Sequence, residues 1–327
     1  MNYELHKLHK SLGWTLARAA VCRFMDMSQI IQQMIVLFLM MGTGYFCGLK
    51  GYMDEGFSKK LSALVLDITT PAMILASVCG GQADYPKSAA FSVLGAGVVT
   101  YIVIIPMAWL IVKLMRVPRA QSSLYMFMTI FSNTGYMGYP VLRAIYGEGA
   151  IFLASIFNML FSIAAYSLGV ALMSGGKGKF SPKILINPSL ISSIAALVIF
   201  LFDIPVPAVL AQTLDSIGSV TSPCAMMLIG ASLSLIPVRQ IFTEIRLYPF
   251  SLIKQVALPL LMRVVLGIFL KDPLILGVMT VLSAMPAASL CVMFANQYGN
   301  DPKLASQGVF ITTVCSFVTI PLLCMVL

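Results

Sequence analysis

The sequence predicts an all-α polytopic membrane protein in which ten transmembrane helices form a 5+5 inverted repeat. Three observations support this fold class. Hydrophobic residues make up 59% of the 327 residues and charged residues only 10%, and the mean hydropathy is +0.93. Apolar runs long enough to span a bilayer recur along almost the whole chain, without the alternation typical of barrel strands. Finally, two interrupted runs recur about 151 residues apart.

The apolar runs define ten spans joined by short connections. The longest polar joint lies between the fifth and sixth spans and is the natural linker. We therefore divide the chain into an N-terminal extension (1–27), a first five-helix repeat (28–174), a cytoplasmic linker (175–186) and a second five-helix repeat (187–327). The predicted spans are 28–49, 57–79, 89–115, 122–146, 149–174, 187–203, 207–235, 247–270, 273–298 and 304–326.

The N-terminal extension is too short and too charged to be a further span. It has no small-residue cleavage site, so a cleaved signal peptide is not predicted. Two interpretations remain open: an interfacial helix, or a start site placed too far upstream, because Met25 and Met27 stand just before the first span.

Basic residues predict the orientation of the spans, since cytoplasmic loops carry an excess of Lys and Arg. The loops after the even-numbered spans hold only Lys87, Arg143 and Lys271. The four Lys and Arg of the extension argue the other way but leave a majority for the odd-numbered loops. We therefore predict cytoplasmic odd-numbered loops and extracytoplasmic termini in a cell (inner or plasma) membrane. The loops after the odd-numbered spans hold Lys50, Lys59, Lys60, Lys113, Arg116, Arg119, Lys177, Lys179, Lys183, Arg239, Arg246 and Lys303.

Span 4 contains a stretch that does not fit a continuous helix. Gly135, Gly138 and Pro140 fall within six residues, and proline removes a backbone donor and disfavours helical geometry in the preceding residue. Freed backbone at membrane depth is tolerated only where it is buried in protein or lines a wet cavity. A break carrying Asn133 and Thr134 therefore indicates a binding site, although a kink that serves only packing would have the same pattern.

The pattern occurs a second time, which indicates an internal duplication. Residues 128–132 (MTIFS) are echoed by 279–283 (MTVLS), and 69–71 (TTP) by 221–223 (TSP). The second run is also interrupted, at 285–288 (MPAA). Because each repeat has an odd number of spans, the second enters the membrane upside down relative to the first, as in many secondary transporters.

In such a repeat the broken spans 4 and 9 cross near the midplane and form the substrate site. Each break starts a half-helix whose free N–H groups suit an anion such as a carboxylate. Small residues in the second break leave room for a ligand, although they could equally serve helix packing. The predicted substrate-binding residues are Asn133, Thr134, Gly135, Gly138, Pro140, Pro286, Ala287, Ala288 and Ser289.

Two carboxylates within spans are candidates for ion coupling. An ionised Asp at the centre of a span costs roughly 2.5–3.5 kcal/mol on insertion, so Asp67 and Asp215 should face a cavity or a partner. The hydroxyls beside the repeated prolines could coordinate Na⁺ or simply satisfy carbonyls at a kink. The predicted coupling or support residues are Asp67, Thr70, Pro71, Asp215, Ser222 and Pro223.

Three other polar residues in spans are expected to serve structure. Lys254, near the cytoplasmic end of span 8, is expected to extend its ammonium to the interface. Arg263 is deeper in the same span and could pair with an acidic residue, and Asn158 is expected to hydrogen-bond between helices.

The sequence does not support an enzyme. The only histidines, His6 and His9, precede the first span, and the chain has no P-loop or metalloprotease or hydrolase nucleophile motif. The seven cysteines share no paired spacing, so neither a disulfide framework nor a metal site is predicted. The net charge of +9 is spread over short loops and does not indicate a nucleic-acid partner.

Four motifs resemble those of the auxin efflux carrier family, which includes plant PIN-type carriers and bacterial malate and malonate permeases. They are residues 133–140 (NTGYMGYP), 285–288 (MPAA), 294–306 (FANQYGNDPKLAS) and 316–321 (SFVTIP). The resemblance covers residues 28–327. It implies a ten-helix inverted repeat crossing near Pro140 and Pro286, a carboxylate-bearing substrate, and Asn133 as a contact.

The sequence as a whole predicts a secondary transporter that moves a small organic anion, such as malate or an auxin-like acid, by alternating access. Spans 1, 2, 6 and 7 would form one body that moves against the others. No cofactor is expected beyond a coupled H⁺ or Na⁺, and the expected partners are the organic acid, the lipid bilayer and a second copy in a homodimer. Two alternatives remain: a Na⁺-coupled symporter of the bile-acid-transporter type, and a receptor that binds a carboxylate without moving it.

Overall fold

A computed structural model describes residues 27–79, 85–175, 188–234 and 244–326. The N-terminal extension and the linker lie outside these ranges, apart from Met27 and Gly175 at their edges. Within the described residues the regular structure is helical, and the β-type pairing is one isolated antiparallel bridge between Ser132 and Ala287.

Sixteen α-helices make up the described chain. Helices α1–α8 are Met27–Leu49, Glu55–Leu64, Thr70–Ala76, Ser88–Leu114, Arg119–Ile130, Tyr139–Tyr146, Gly149–Ala164 and Val170–Met173. Helices α9–α16 are Pro188–Phe202, Ala208–Ser219, Thr221–Ser234, Leu247–Leu252, Leu258–Phe269, Pro273–Ala284, Leu290–Tyr298 and Pro302–Val326. Five helical stretches of the described chain are long and apolar enough to cross a membrane: Ser88–Leu114, Gly149–Met173, Ala208–Ser234, Leu247–Phe269 and Pro302–Met325.

Four short π-helical turns interrupt these helices, and three of them precede a proline. Val65–Thr69, Thr134–Gly138 and Ile253–Ala257 are each followed, two residues on, by Pro71, Pro140 or Pro259; the fourth turn is Ala165–Gly169. Proline lacks an N–H and its ring collides with the carbonyl one turn earlier. A widened turn relieves both problems, so the sequence accommodates these prolines without ending the helix.

Glycines allow α1 and α11 to pack backbone against backbone. A Cβ on Gly44 would lie 2.1 Å from the carbonyl oxygen of Met227, and one on Gly230 would lie 1.9 Å from that of Met41. No other residue fits at this separation. A similar close approach brings Gly218 of α10 against Met73 of α3. Helices α1, α3, α10 and α11, which belong to predicted spans 1, 2 and 7, are therefore in close mutual contact.

The second group of helices packs through aromatic side chains. Phe127 and Phe131 lie beside each other, with ring centroids 4.6 Å apart, and Phe127 also contacts Phe294 of α15. Tyr125 packs edge-on against Phe250 of α12. These buried rings surround the ends of α5 and α15 and thereby fix the two interrupted segments next to each other.

Candidate functional site

The two predicted breaks are present, and they lie against each other. Helix α5 ends at Ile130 and helical structure resumes at Thr134, so the first break is residues 131–133. Helix α14 ends at Ala284 and α15 begins at Leu290, so the second break is residues 285–289.

Each break satisfies backbone groups that the other leaves unpaired. The N–H of Asn133 donates to the carbonyl of Pro286 at 2.7 Å, and the N–H of Ala288 donates to the carbonyl of Phe131 at 3.0 Å. These reciprocal bonds form the Ser132–Ala287 bridge. Since unpaired backbone groups at membrane depth are costly, each break is stable only in the presence of the other.

A buried lysine lies next to the first break. Lys254 is 0% exposed, and its Nζ donates to Ser132 Oγ at 2.9 Å and to the Thr129 carbonyl at 3.4 Å. Ser132 Oγ in turn lies 3.5 Å from the carbonyl of Ser283, next to the second break. The expectation that Lys254 extends to the membrane interface is wrong, because its helix packs directly against α16 and the end of α5.

The next residue along the chain supports the second break. Gln255 is also 0% exposed, and its Nε2 donates to the Thr312 carbonyl of α16 at 2.6 Å. The Thr312 hydroxyl accepts the N–H of Ala287 at 3.1 Å. Both Lys254 and Gln255 belong to the π-helical turn Ile253–Ala257. One widened turn therefore supports both breaks with two consecutive side chains.

A cavity of about 10 Å³ lies beside the breaks. Its volume is room for about one water molecule, so a dicarboxylate would need the surrounding helices to move apart. The cavity is lined by polar and by aromatic side chains, and the aromatic rings of Tyr101 and Phe157 are stacked. The polar lining residues include Ser132, Thr134 and Ser283, and the aromatic ones are Tyr101, Phe157 and Phe161.

The predicted residues of the first break differ in their surroundings. Asn133 is 5% exposed. Thr134 lines the cavity and its hydroxyl donates to Asn158 Oδ1 at 2.8 Å, so Asn158 does bond between helices. A Cβ on Gly135 would meet open space, whereas one on Gly138 would lie 3.1 Å from Leu282.

The backbone contact between the breaks lies at Ser132, eight residues before Pro140. Pro140 is instead in the first turn of α6, after the widened turn that accommodates it. Pro286 is at the contact itself, through its carbonyl. The implied crossing near Pro140 is therefore displaced along the chain, because the π-helical turn lets the helix continue through the proline.

The second break exposes fewer free donors than the sequence indicated. The N–H groups of Ala287 and Ala288 donate to Thr312 and Phe131, and both residues are buried. Ser289 is exposed and precedes the first turn of α15. The second break therefore uses the N–H groups of its two alanines for its own support.

The predicted coupling residues lie away from this contact. Asp67 and Asp215 are both exposed on the surface of the protein. Thr70 and Ser222 are buried, and the Ser222 hydroxyl has no partner among the described residues. Pro71 and Pro223 lie in the first turns of α3 and α11. The described residues bring no three His, Cys, Asp or Glu side chains together as a metal site would require.

Sequence reasoning placed Lys254 at the interface and did not single out Gln255 or Thr312. The signal that could have identified them is the pair Lys-Gln inside the apolar run 247–270, five residues before Pro259. Polar residues within a span usually face protein or a cavity. A proline after such a pair also predicts a widened turn.

Comparison with known proteins agrees with this architecture. The chain is 26% identical over 302 residues to an uncharacterized transporter of Methanocaldococcus jannaschii, covering 88% of this chain and 96% of the relative. It is 23% identical over 317 residues to an uncharacterized transporter of Methanothermobacter thermautotrophicus, covering 93% and 99%. A Rhizobium meliloti protein named "Putative malonate transporter" is 24% identical over 272 residues, covering 80% of this chain and 84% of the relative.

A family model described as "Membrane transport protein" matches residues 29–184 and 178–324, which is nearly the whole chain. The long apolar helices and the relatives named as transporters agree that this chain is a multi-pass membrane protein and a transporter, not an enzyme. The chain thus belongs to the membrane transport protein family, whose auxin-efflux-carrier type it resembles in its motifs.

Proposed function

We propose that this protein is a secondary transporter of a small organic anion, a mono- or dicarboxylate, and that it works by alternating access. The observation that carries the proposal is the meeting of two helix breaks beside a buried cation and a cavity. Helix breaks at membrane depth are the usual place where secondary transporters bind substrate. The relative named for malonate supports a short dicarboxylate as the first substrate to examine.

The substrate would bind at the first break. The N–H groups of residues 135–137 begin a helical stretch and have no intrahelical acceptor, which favours an anion at this end. Gly135 leaves open space there, and Asn133 and Thr134 add side-chain polar groups. Gly138, Pro140, Pro286, Ala287, Ala288 and Ser289 would shape the site through backbone geometry.

We further propose ten spans in a 5+5 inverted repeat with both termini extracytoplasmic in the cell membrane. Two contacts support this topology, because each joins loops predicted on the same side. Lys87, after span 2, pairs with Asp203, after span 6, at 2.6 Å. On the opposite side Asn300, after span 9, bonds to Ser123 at the start of span 4 and to the Met173 carbonyl at the end of span 5.

Transport would require two bodies to move apart around the breaks. The close glycine contacts of α1 with α11 and of α3 with α10 favour a rigid body built from spans 1, 2 and 7 together with span 6. Tyr136, in the first broken segment, contacts this body through a 2.5 Å hydrogen bond to Ser62. Opening at this contact would expose the side of the first broken segment that faces this body. A homodimer through the outer face of this body is part of the proposal.

Coupling to H⁺ would place a proton on Asp67 or Asp215, with Thr70, Pro71, Ser222 and Pro223 as structural support. Coupling to Na⁺ would instead use the hydroxyls and freed carbonyls beside these prolines. Uptake measured with and without Na⁺, at two pH values, separates the two: an H⁺-coupled carrier responds to the pH gradient and ignores Na⁺.

The function is tested by counterflow of labelled malonate in proteoliposomes, competed by a panel of carboxylates that includes malate and an auxin-like acid. We expect counterflow that at least one carboxylate suppresses and that the matching diamide does not. Binding of a carboxylate without counterflow would instead support a receptor. If folded protein neither binds nor exchanges any member of the panel, the organic-anion proposal is wrong.

A further inference from the structure

Lys254 has an environment that its packing role does not fully explain. Its side chain is 0% exposed, and it lies within the first half of the helical stretch Leu247–Phe269. None of the acidic residues in the described ranges forms an ion pair with it; its recorded partners are the Ser132 hydroxyl and the Thr129 carbonyl. An ammonium offers three donors, so one donor remains beyond these two neutral acceptors.

A buried ammonium without an anionic partner is unfavourable, and ionisable residues inside membrane segments usually mark substrate or ion pathways. In the helical stretch around Lys254 the only other charged side chain is Arg263. Its π-helical turn directs both Lys254 and its neighbour Gln255 into the protein interior. The local fold therefore holds the positive charge at the breaks, where a substrate anion would arrive.

The route from this charge to the cavity is short. Ser132 Oγ accepts a hydrogen bond from Lys254 Nζ at 2.9 Å, and Ser132 also lines the cavity. Among the lining residues no side chain carries a charge, and three of them are aromatic. A ligand carboxylate in an enlarged cavity would meet the Ser132 hydroxyl first, with the lysine directly behind it.

We propose that Lys254 is the specificity-determining cation of the site, which selects anions by forming a charge-assisted contact with the substrate carboxylate at Ser132. This inference rests on the proposed transport of an organic anion. In the closed conformation the Thr129 carbonyl and Ser132 hold the ammonium, and substrate binding supplies the anionic partner that these neutral groups do not. The aromatic lining residues of the cavity would then contact the carbon skeleton of the acid.

A purely structural role makes a different prediction. The Thr129 carbonyl is one of the last in α5, where carbonyls lack intrahelical N–H donors and a cation is favourable. If Lys254 only caps this helix, its removal lowers stability but leaves the preference for charged over neutral ligands unchanged. Charge preference is therefore the readout that separates the two roles.

The test compares binding of malonate with binding of malonamide, its neutral diamide, to detergent-solubilised full-length protein by calorimetry. Wild type, Lys254→Met, Lys254→Arg and Gln255→Leu are compared. Gln255→Leu is the matched control, because it removes a buried polar side chain from the same turn without changing charge. Thermal unfolding of each protein checks that it is folded.

We expect Lys254→Met to weaken malonate binding roughly 10- to 100-fold, as loss of a charged hydrogen bond would, with malonamide binding unchanged. Lys254→Arg should keep the preference for malonate, and Gln255→Leu should also keep it. A folded Lys254→Met protein, or a folded Lys254→Gln protein if the first is unstable, that retains the wild-type ratio overturns the inference. Failure of wild type to bind any carboxylate would instead overturn the proposed function.

Discussion

Asn133 combines a structural and a proposed functional role within one residue. Its backbone N–H bonds to the Pro286 carbonyl and so holds the breaks together, while its side chain is the polar group that we propose contacts the substrate. The backbone and side-chain roles can therefore be separated by mutation.

Asn133→Ala should preserve the fold and reduce transport. The backbone bond to Pro286 does not depend on the side chain, so the unfolding temperature should change by only a few degrees. Loss of a hydrogen bond to a charged ligand should raise the apparent Kd for malonate roughly 10-fold or more. Counterflow measures the transport, and calorimetry measures the Kd for malonate. Unchanged affinity would remove Asn133 from the site.

At the residue scale, sequence analysis identified the residues of the break but not those that support it. Asn133 and Thr134 stand beside glycines and a proline, which is a local signal. The sequence around Lys254 does not indicate how deeply the side chain is buried. Its burial depends on packing between α12–α13 and the distant α5. Contacts between residues 122 positions apart leave no local pattern to read.

At the scale of elements, glycine spacing determines how closely the helices of one body approach. Gly44 is in contact with the backbone of Met227, whereas Gly42, two residues earlier on the same helix, has nothing within 4 Å of its Cβ position. These two glycines form a natural pair, since one serves packing and the other does not.

Gly44→Ala should destabilise the protein and Gly42→Ala should not. A methyl group 2.1 Å from a carbonyl oxygen forces α1 and α11 apart, and overpacking of this kind costs about 1–3 kcal/mol. At Gly42 the helix gains about 0.5–1 kcal/mol from reduced backbone freedom. Thermal unfolding in detergent compares the two. Equal effects would contradict the close packing of α1 and α11.

The breaks were predictable at this scale because glycine and proline act on the backbone within a few residues. The π-helical turns were not predicted. Because the turn Thr134–Gly138 lets the helix continue through Pro140, the contact lies at Ser132 and not near Pro140. Proline has two structural outcomes in a helix, a break or a widened turn. The choice between them depends on whether neighbouring helices satisfy the freed backbone groups.

At the scale of the whole molecule, the loop contacts are consistent with the proposed sides of the loops, and the distribution of Lys and Arg predicts which side is cytoplasmic. Lys87 is in a loop predicted to be extracytoplasmic and Arg116 in a loop predicted to be cytoplasmic. Each is replaced by cysteine in a separate variant. In intact cells a membrane-impermeant thiol reagent should label only the first, and permeabilisation should allow labelling of the second. The opposite result would invert the proposed topology. Wild type reports the background from the native cysteines.

The central claim is that a carboxylate is transported through the point where the two breaks meet, and substrate protection at that point tests it directly. Ser283 lines the cavity and its hydroxyl bonds only within its own helix, to Thr280, so Ser283→Cys is a mild change. We expect a thiol reagent to abolish malonate counterflow by Ser283→Cys but not by wild type, and malonate to slow the modification. Modification that leaves counterflow intact, or that malonate does not slow, would contradict the claim.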